Sequence, residues 1–291
     1  MSGKLTDTSV GDRFYGEQYG RRVRLAVGDR SLGDTQGTEI EGHRIAFQVE
    51  KTRTSKPNSA KIQIYGMSGA TVKDLFNKGT RARLSAGYPH TEAVIFFGDI
   101  VSAERWHDGP TPIVELELED GSQAMKAAIN KAWTRGTPFS VIVESLALAM
   151  GLDVTASTIA KIHGGTRYAY TGHGFAFRDL DLICRTLGVV WTVEHGELVV
   201  LQPGKSNNRI AVAVSADTGL IGTVTPLEAT KKKKLRRVQF QTLLNSRLHA
   251  GALVDLRSER RSGLFRVDRA THAGDTHGGD FSTVSECTET T

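Results

Sequence analysis

The sequence has 291 residues, 37 Lys and Arg against 32 Asp and Glu, a formal net charge of +5 and an isoelectric point near 9.2. That length supports a sizeable core without staples. The two cysteines, Cys184 and Cys287, stand far apart with no CxxC spacing, which excludes a disulfide scaffold and a cysteine-rich zinc site. The longest apolar-leaning run, FSVIVESLALAMG, is broken by Ser140, Glu144 and Ser145 and is too short to cross a bilayer as a helix. The polar start MSGKLTDTSV carries no leader-like apolar run, so the chain is expected to be made and folded in a cytoplasm.

The first third alternates with a period of two. RRVRLAVG (21–28) sets Val23, Leu25 and Val27 against arginines, and HRIAFQVEK (43–51) puts Ile45, Phe47 and Val49 on one face. AKIQIYGM (60–67), RARLSAGY (81–88) and AVIFFGDIVSAE (93–104) follow. In TPIVELELED (111–120), Val114, Leu116 and Leu118 face in while Glu115, Glu117 and Glu119 face out. One buried and one wet face per strand predicts an antiparallel sheet or barrel. One helix interrupts it, SGATVKDLFNKG, with Ser68 placed to cap, Gly79 to end it, and Val72, Leu75 and Phe76 on a common face.

After residue 121 the period changes. SQAMKAAINKAW and TPFSVIVESLALAMG read as helices, the second with Thr137 as cap, Pro138 at its first position and Ile142, Leu146, Ala149 and Met150 at helical spacing. GFAFRDLDLICRTLG is a third, with Leu180, Ile183, Cys184 and Leu187 inward and Gly188 as the stop. VVWTVEHGELVVLQPG then makes a hairpin around His195-Gly196. From about residue 209 short strands return: RRVQFQTLL (236–244), GALVDLRS (251–258), GLFRVDRATHAGD (263–275) and DFSTVSECTE (280–289). The fold class expected is mainly β with an α+β insertion: an N-terminal extension (1–20), a first antiparallel barrel (21–121), an α+β module (122–206) inserted peripherally, and a second barrel (207–291).

Candidate chemistry concentrates in THAGDTHGGDFST, where His272, Asp275, His277 and Asp280 are all metal-ligand types. The two histidines lie five apart, so a strand points them to opposite faces, and Gly274, Gly278 and Gly279 exclude a helix. The regular acidic series of an EF-hand is absent. A glycine-rich connection between the last two strands, its aspartates bonded to backbone amides, is the preferred reading. Cys184 sits on an inward helical stripe, as a small hydrophobe does. Asp179 and Asp181, two apart on a helix, face different directions. His90, His163 and His173 are expected in loops. GKSNN (204–208) lacks the upstream glycine of a phosphate loop. The basic run from Lys231 to Arg237 reads either as a phosphate- or membrane-facing patch or as a solvated loop leading into a strand. No interleaved aromatic residue supports the former. No catalytic, metal or cofactor-binding residue is predicted, no cofactor is expected, and partner-binding residues stay unassigned.

The order of several phrases resembles the baseplate central hub proteins of contractile-tailed bacteriophages. IEGHRIAFQVEKTRTSKPNSAKIQIYGMSGATVKDL is similar to that family's opening strand, its pN.A.I.IyNLs phrase and its short helix. Pro57, Asn58, Ala60, Ile62, Ile64, Tyr65 and Ser68 match, and Gly66-Met67 replaces the usual NL. RLSAGYPHTEAVIFFGDIVSA resembles the next signature, through Ala86-Gly87-Tyr88 and Phe97-Gly98-Asp99-Ile100. TGLIGTVTPLE and LLNSRLHAGALVDLRS resemble the start of the third domain, and HAGDTHGGDF its closing loop, with Phe281 at the aromatic position. The resemblance spans roughly residues 20 to 290. It implies a homotrimeric, non-enzymatic symmetry adaptor in the virion baseplate, assembled in the host cytoplasm. Two tube-like barrels per subunit would form a pseudo-sixfold ring between a sixfold tail tube and a threefold spike, around an axial channel. The implied partners are the central spike, the tail tube or a tube-initiator protein, other baseplate proteins and a tape measure protein, with DNA only in transit and no membrane. His272, Asp275 and Asp280 then become fold-defining loop residues. Two other readings remain open: a metal-dependent cell-wall hydrolase using residues 271 to 283, and a nucleic-acid binder using Lys231 to Arg237.

Overall fold

The computed structural model describes residues 19–28, 37–69, 71–72, 81–202, 210–229 and 235–290. The first block contains β1 (Arg22–Gly28), β2 (Thr38–Ile40), β3 (Arg44–Thr52), β4 (Asn58–Tyr65), β5 (Arg81–Gly87), β6 (Ala93–Asp108) and β7 (Thr111–Asp120). They pair antiparallel in the order β3-β4-β7-β6-β5-β1-β2. Alternation explains them: Ile45, Phe47 and Val49 of β3, Ile62 and Ile64 of β4, and Val114, Leu116 and Leu118 of β7 are buried in one core. The helix expected after Ser68 begins as read, with the Ser68 hydroxyl accepting the Thr71 amide at 3.4 Å and the Ser68 carbonyl accepting the Val72 amide at 3.2 Å. Leu75, Phe76 and Gly79 lie outside the described residues.

The middle segment has a second, separate core. It holds β8 (Ala128–Trp133), α1 (Phe139–Ala149), β9 (Asp153–Val154), the single turn α2 (Ala156–Ile159), β10 (Tyr170–Phe175), α3 (Ala176–Thr186), β11 (Val190–Glu194) and β12 (Glu197–Leu201). Helix α3 buries Leu180, Ile183 and Cys184, and Gly188 follows it at φ 68°. The helix expected over 122–133 is instead a 3-10 turn, Ala124–Lys126, followed by β8, which pairs with β10. The buried residues Ile129 and Trp133 are four apart, a spacing that shares a face in a helix and in a strand alike. Thr137 does not cap α1; its hydroxyl donates to the Thr134 carbonyl at 2.8 Å, and Pro138 takes the cap position. Ala149 is exposed, and Val143 and Ala147 join Ile142, Leu146 and Met150 inside. His173 lies on β10 rather than in a loop.

The last block contains β13 (Val212–Val214), β14 (Leu220–Leu227), β15 (Arg237–Leu243), β16 (Leu253–Arg257), β17 (Ser262–Asp275) and β18 (Phe281–Glu289), around a third core. β13 departs from the antiparallel expectation by running parallel to β16, a pairing that the intervening β14–β15 hairpin supplies with its crossover. The two β blocks are not separate sheets. The first half of β17 pairs with β16, and its second half pairs with β3 from Arg269↔Thr52 to Asp275↔Ala46, so one 13-stranded sheet runs through both.

Candidate functional site

The stretch from His272 to Asp280 resolves into a clamped turn. His272 is on β17 and buried, its Nδ1 2.9 Å from Thr283 Oγ1, and its Nε2 has no protein partner. Burial, reinforced by Lys51 and His249, pushes its pKa down to about 3. Asp275 ends the strand and accepts from Arg44 Nη2 at 2.7 Å and from the His277 amide at 2.9 Å. Burial raises its carboxyl, but those bonds outweigh it and hold the group below the usual range. Arg21 donates to the carbonyls of Asp275 (3.1 Å) and Gly279 (2.9 Å) and lies 5.2 Å over the Phe281 ring. His277 and Asp280 are exposed in the turn. His272 points into the protein and His277 out of it, so the two rings do not converge. Among the described residues no three His, Cys, Asp or Glu side chains form a metal set.

A second cluster was invisible to motif reasoning. The inward rows of three neighbouring strands each end in a polar residue: Lys51 after Val49 on β3, Asn58 before Ala60 on β4, and Asp120 after Leu118 on β7. All three are buried. The hairpin turn between β11 and β12 docks on them. His195 and Gly196 both have positive φ, 56° and 83°, and this conformation turns their amides toward Asp120, at 2.7 and 3.2 Å. Asn58 donates to the Val193 carbonyl at 3.0 Å and accepts the Thr52 amide at 2.9 Å. Lys51 Nζ donates to His195 Nε2 at 2.8 Å and reaches Glu194 at 3.4 Å, with His249 Nδ1 3.6 Å from the same carboxylate. Burial pushes Asp120 up to about 6 despite the two amides and Lys51. Burial, then Lys51, pushes His195 down to about 4. Burial also raises Glu194, but Lys51, His249 and His195 outweigh it and hold that carboxyl low. Every member is engaged with another, so the cluster is built to join segments rather than to attack a substrate.

The solvent-side rows of the shared sheet are continuous and mostly polar, with Val284 and Ala273 as the apolar members. One runs Gln241, Val284, Thr271, Glu50, Ser59, Glu119 across β15, β18, β17, β3, β4 and β7. The next runs Ala273, Gln48, Lys61, Glu117.

The remaining sequence candidates are structural or exposed. Cys184 and Cys287 are buried free thiols; burial pushes Cys184 up to about 12 and Cys287 well above its ordinary value. Asp179 accepts from the Tyr170 hydroxyl at 2.5 Å, while Asp181 pairs with Arg185 one turn on, so the two carboxylates serve different partners. His163 is exposed in a loop and His90 sits in a turn. Lys231 to Lys234 and residues 204–208 lie outside the described residues. At the end of that basic run, Arg236 pairs with Glu289 and Arg237 with Glu286.

No protein-family profile matches the chain, and no curated protein matches its sequence. Solved structures do match. The prophage MuSo2 43 kDa tail protein from Shewanella oneidensis aligns over 93% of this chain and 97% of its own, with a TM-score of 0.66 and 10% identity. The tail protein from Neisseria meningitidis MC58 aligns over the same 93% and 97%, with a TM-score of 0.63 and 12% identity. The E. coli c3393 protein, a component of the type VI secretion system described as similar to the T4 tail proteins gp27 and gp5, covers 94% of this chain and 77% of its own at a TM-score of 0.58 and 9% identity. Over 93% of its length, this chain has the fold of the S. oneidensis and N. meningitidis tail proteins.

Proposed function

We propose that the protein is the structural hub of a phage-type tail baseplate, a trimeric adaptor that joins a sixfold tail tube to a threefold spike around an axial channel. The reading divides the chain into a first tube-like barrel (21–121), an inserted module (122–206) and a second tube-like barrel (207–291). The observation that carries it is the single sheet running through both β blocks by way of the β3–β17 ladder. Two β segments fused side by side fill two of six positions around an axis, so three copies close the ring. The mostly polar row from Gln241 to Glu119 suits a wall that faces water and passing DNA rather than a packed layer. The tail-protein fold and the clamped turn from Asp275 to Phe281 support a scaffold without covalent chemistry. On this reading the partners are spike, tube and neighbouring baseplate proteins, and the protein resides in the virion tail.

The test is a reconstruction of the assembled particle. Three copies on the axis, with the two β blocks alternating around the ring, are expected. Six copies, or one copy off the axis, overturn the reading.

A further inference from the structure

The middle module is joined to the β body in an unusual way. Its apolar core, from Ala124 to Val200, shares no buried residue with the cores of the body. The substantial packing between elements stays inside the module or inside the body. What crosses is polar: Asn58 to the Val193 carbonyl, Asp120 to the amides of His195 and Gly196, Lys51 to Glu194 and His195, and His249 to Glu194. The chain enters the module at Gly121, where φ is 81° and a side-chain Cβ would lie 3.1 Å from Val193. Beside that link a cleft of about 230 Å³ separates the module from the first block, lined among others by Arg81, Asp99, Asp120, Gln123, Met150 and Gly196.

We propose that the module is a rigid body hinged at Asp120–Gly121, and that Lys51, Glu194, His195 and His249 form a latch that holds it in the position seen here. Three features together carry this. A body with its own core keeps its shape when it moves, because its buried residues belong to no core outside it. Glycine at positive φ tolerates the backbone rotation a hinge needs. The cleft beside the link gives the moving part room, and the latch groups bridge the joint. The latch is directional chemistry: one ammonium donates to a neutral imidazole and faces a carboxylate, so it fixes the orientation of the hairpin that Asn58 and Asp120 also hold. The inference goes beyond the hub reading and does not require a ring.

The test uses the full chain with spin labels on introduced cysteines, since both native thiols are buried. One pair spans the joint, Ser59→Cys with Ser157→Cys; a control pair lies within the module, Ser157→Cys with Arg185→Cys. In the parent chain both distance distributions are expected to be single and narrow. Lys51→Met combined with Glu194→Gln removes both charges of that pair, while Asp120 keeps its two backbone amides. It is expected to add a second, broader population to the spanning pair, displaced by several ångströms, and to leave the control pair unchanged. His249→Gln, at the edge of the latch, should give a smaller fraction of the same second population. An unchanged spanning pair in both variants overturns the latch, and a broadened control pair overturns the rigid body. A double variant that fails to fold also overturns the proposal, because a latch is dispensable for folding either body.

Discussion

The molecule contains two joints, and they are built from opposite materials. At the seam between the β blocks, β3 and β17 exchange backbone hydrogen bonds, and Leu244 and Phe281 of the last block are buried in the core of the first. Phe281 meets Phe47 and Tyr88 edge to face at 6.2 and 5.5 Å. Gly274 lets the rings approach; a Cβ there would stand 2.6 Å from Phe47. At the joint between body and module the described residues share no ladder and no core, and a buried set of hydrogen bonds crosses it instead. A ladder with a core beneath it cannot slide without losing everything at once. A polar joint can be released one group at a time. The comparison teaches that the three cores are not three equivalent domains: two are fused, and the third is docked.

The largest expected effect is at the seam. Phe281→Ala should cost about 3–5 kcal/mol, because it empties an aromatic site that both blocks use. In denaturant titration followed from both β blocks, they should lose stability together. Independent transitions for the two blocks would break the comparison. Next comes acid. His272 is buried neutral with its pKa at about 3, while the unfolded chain titrates at the ordinary 6.5. Between those values only the unfolded chain takes up the proton, so stability falls as pH drops from about 6.5 toward 3, and the loss is complete below that. Within that window the slope approaches about 1.4 kcal/mol per pH unit. His272→Gln should flatten that slope in a pH series of melting curves, and an unchanged slope would show that the ring does not bury its proton site as described. The smallest effect belongs to the docked joint. Asn58→Ala leaves the Val193 carbonyl and the Thr52 amide without partners, at about 1–3 kcal/mol. Hydrogen exchange should rise at the β11–β12 turn and stay low in β3 from Arg44 to Lys51. Equal loosening along β3 would mean that the two joints are one unit.

Most strands were legible because the buried row of each repeats every second residue, as in Ile45, Phe47 and Val49. β8 was not, since Ile129 and Trp133 satisfy two periods at once. The latch residues carried no motif, for a different reason. Lys51 stands 143 residues from Glu194, so no local pattern pairs them. Yet one signal was present in the sequence. Lys51, Asn58 and Asp120 each fall on the inward phase of an alternating strand, where a polar residue needs a buried partner. His195 gave a second, as a bulky residue where a tight turn requires positive φ. The loop around Asp275 was readable as a turn from its glycines, but the arginines that clamp it, Arg21 and Arg44, come from the far end of the sequence. Sequence spacing carries no trace of such contacts.

The seam has a consequence for how the protein is made. β3 ends at Thr52, and the strand that completes its edge, β17, begins at Ser262. A ribosome must therefore add some two hundred residues after β3 before its partner exists, and through that interval the unpaired edge and the Phe47 side of the first core stand open. The module, whose core is assembled from one contiguous stretch, can fold meanwhile. Closure of the seam is thus a late event in the synthesis of these residues. A product truncated before Ser262 keeps its sticky edge, and translation in the presence of the missing strand, supplied as a separate peptide, is the natural way to watch that edge being satisfied.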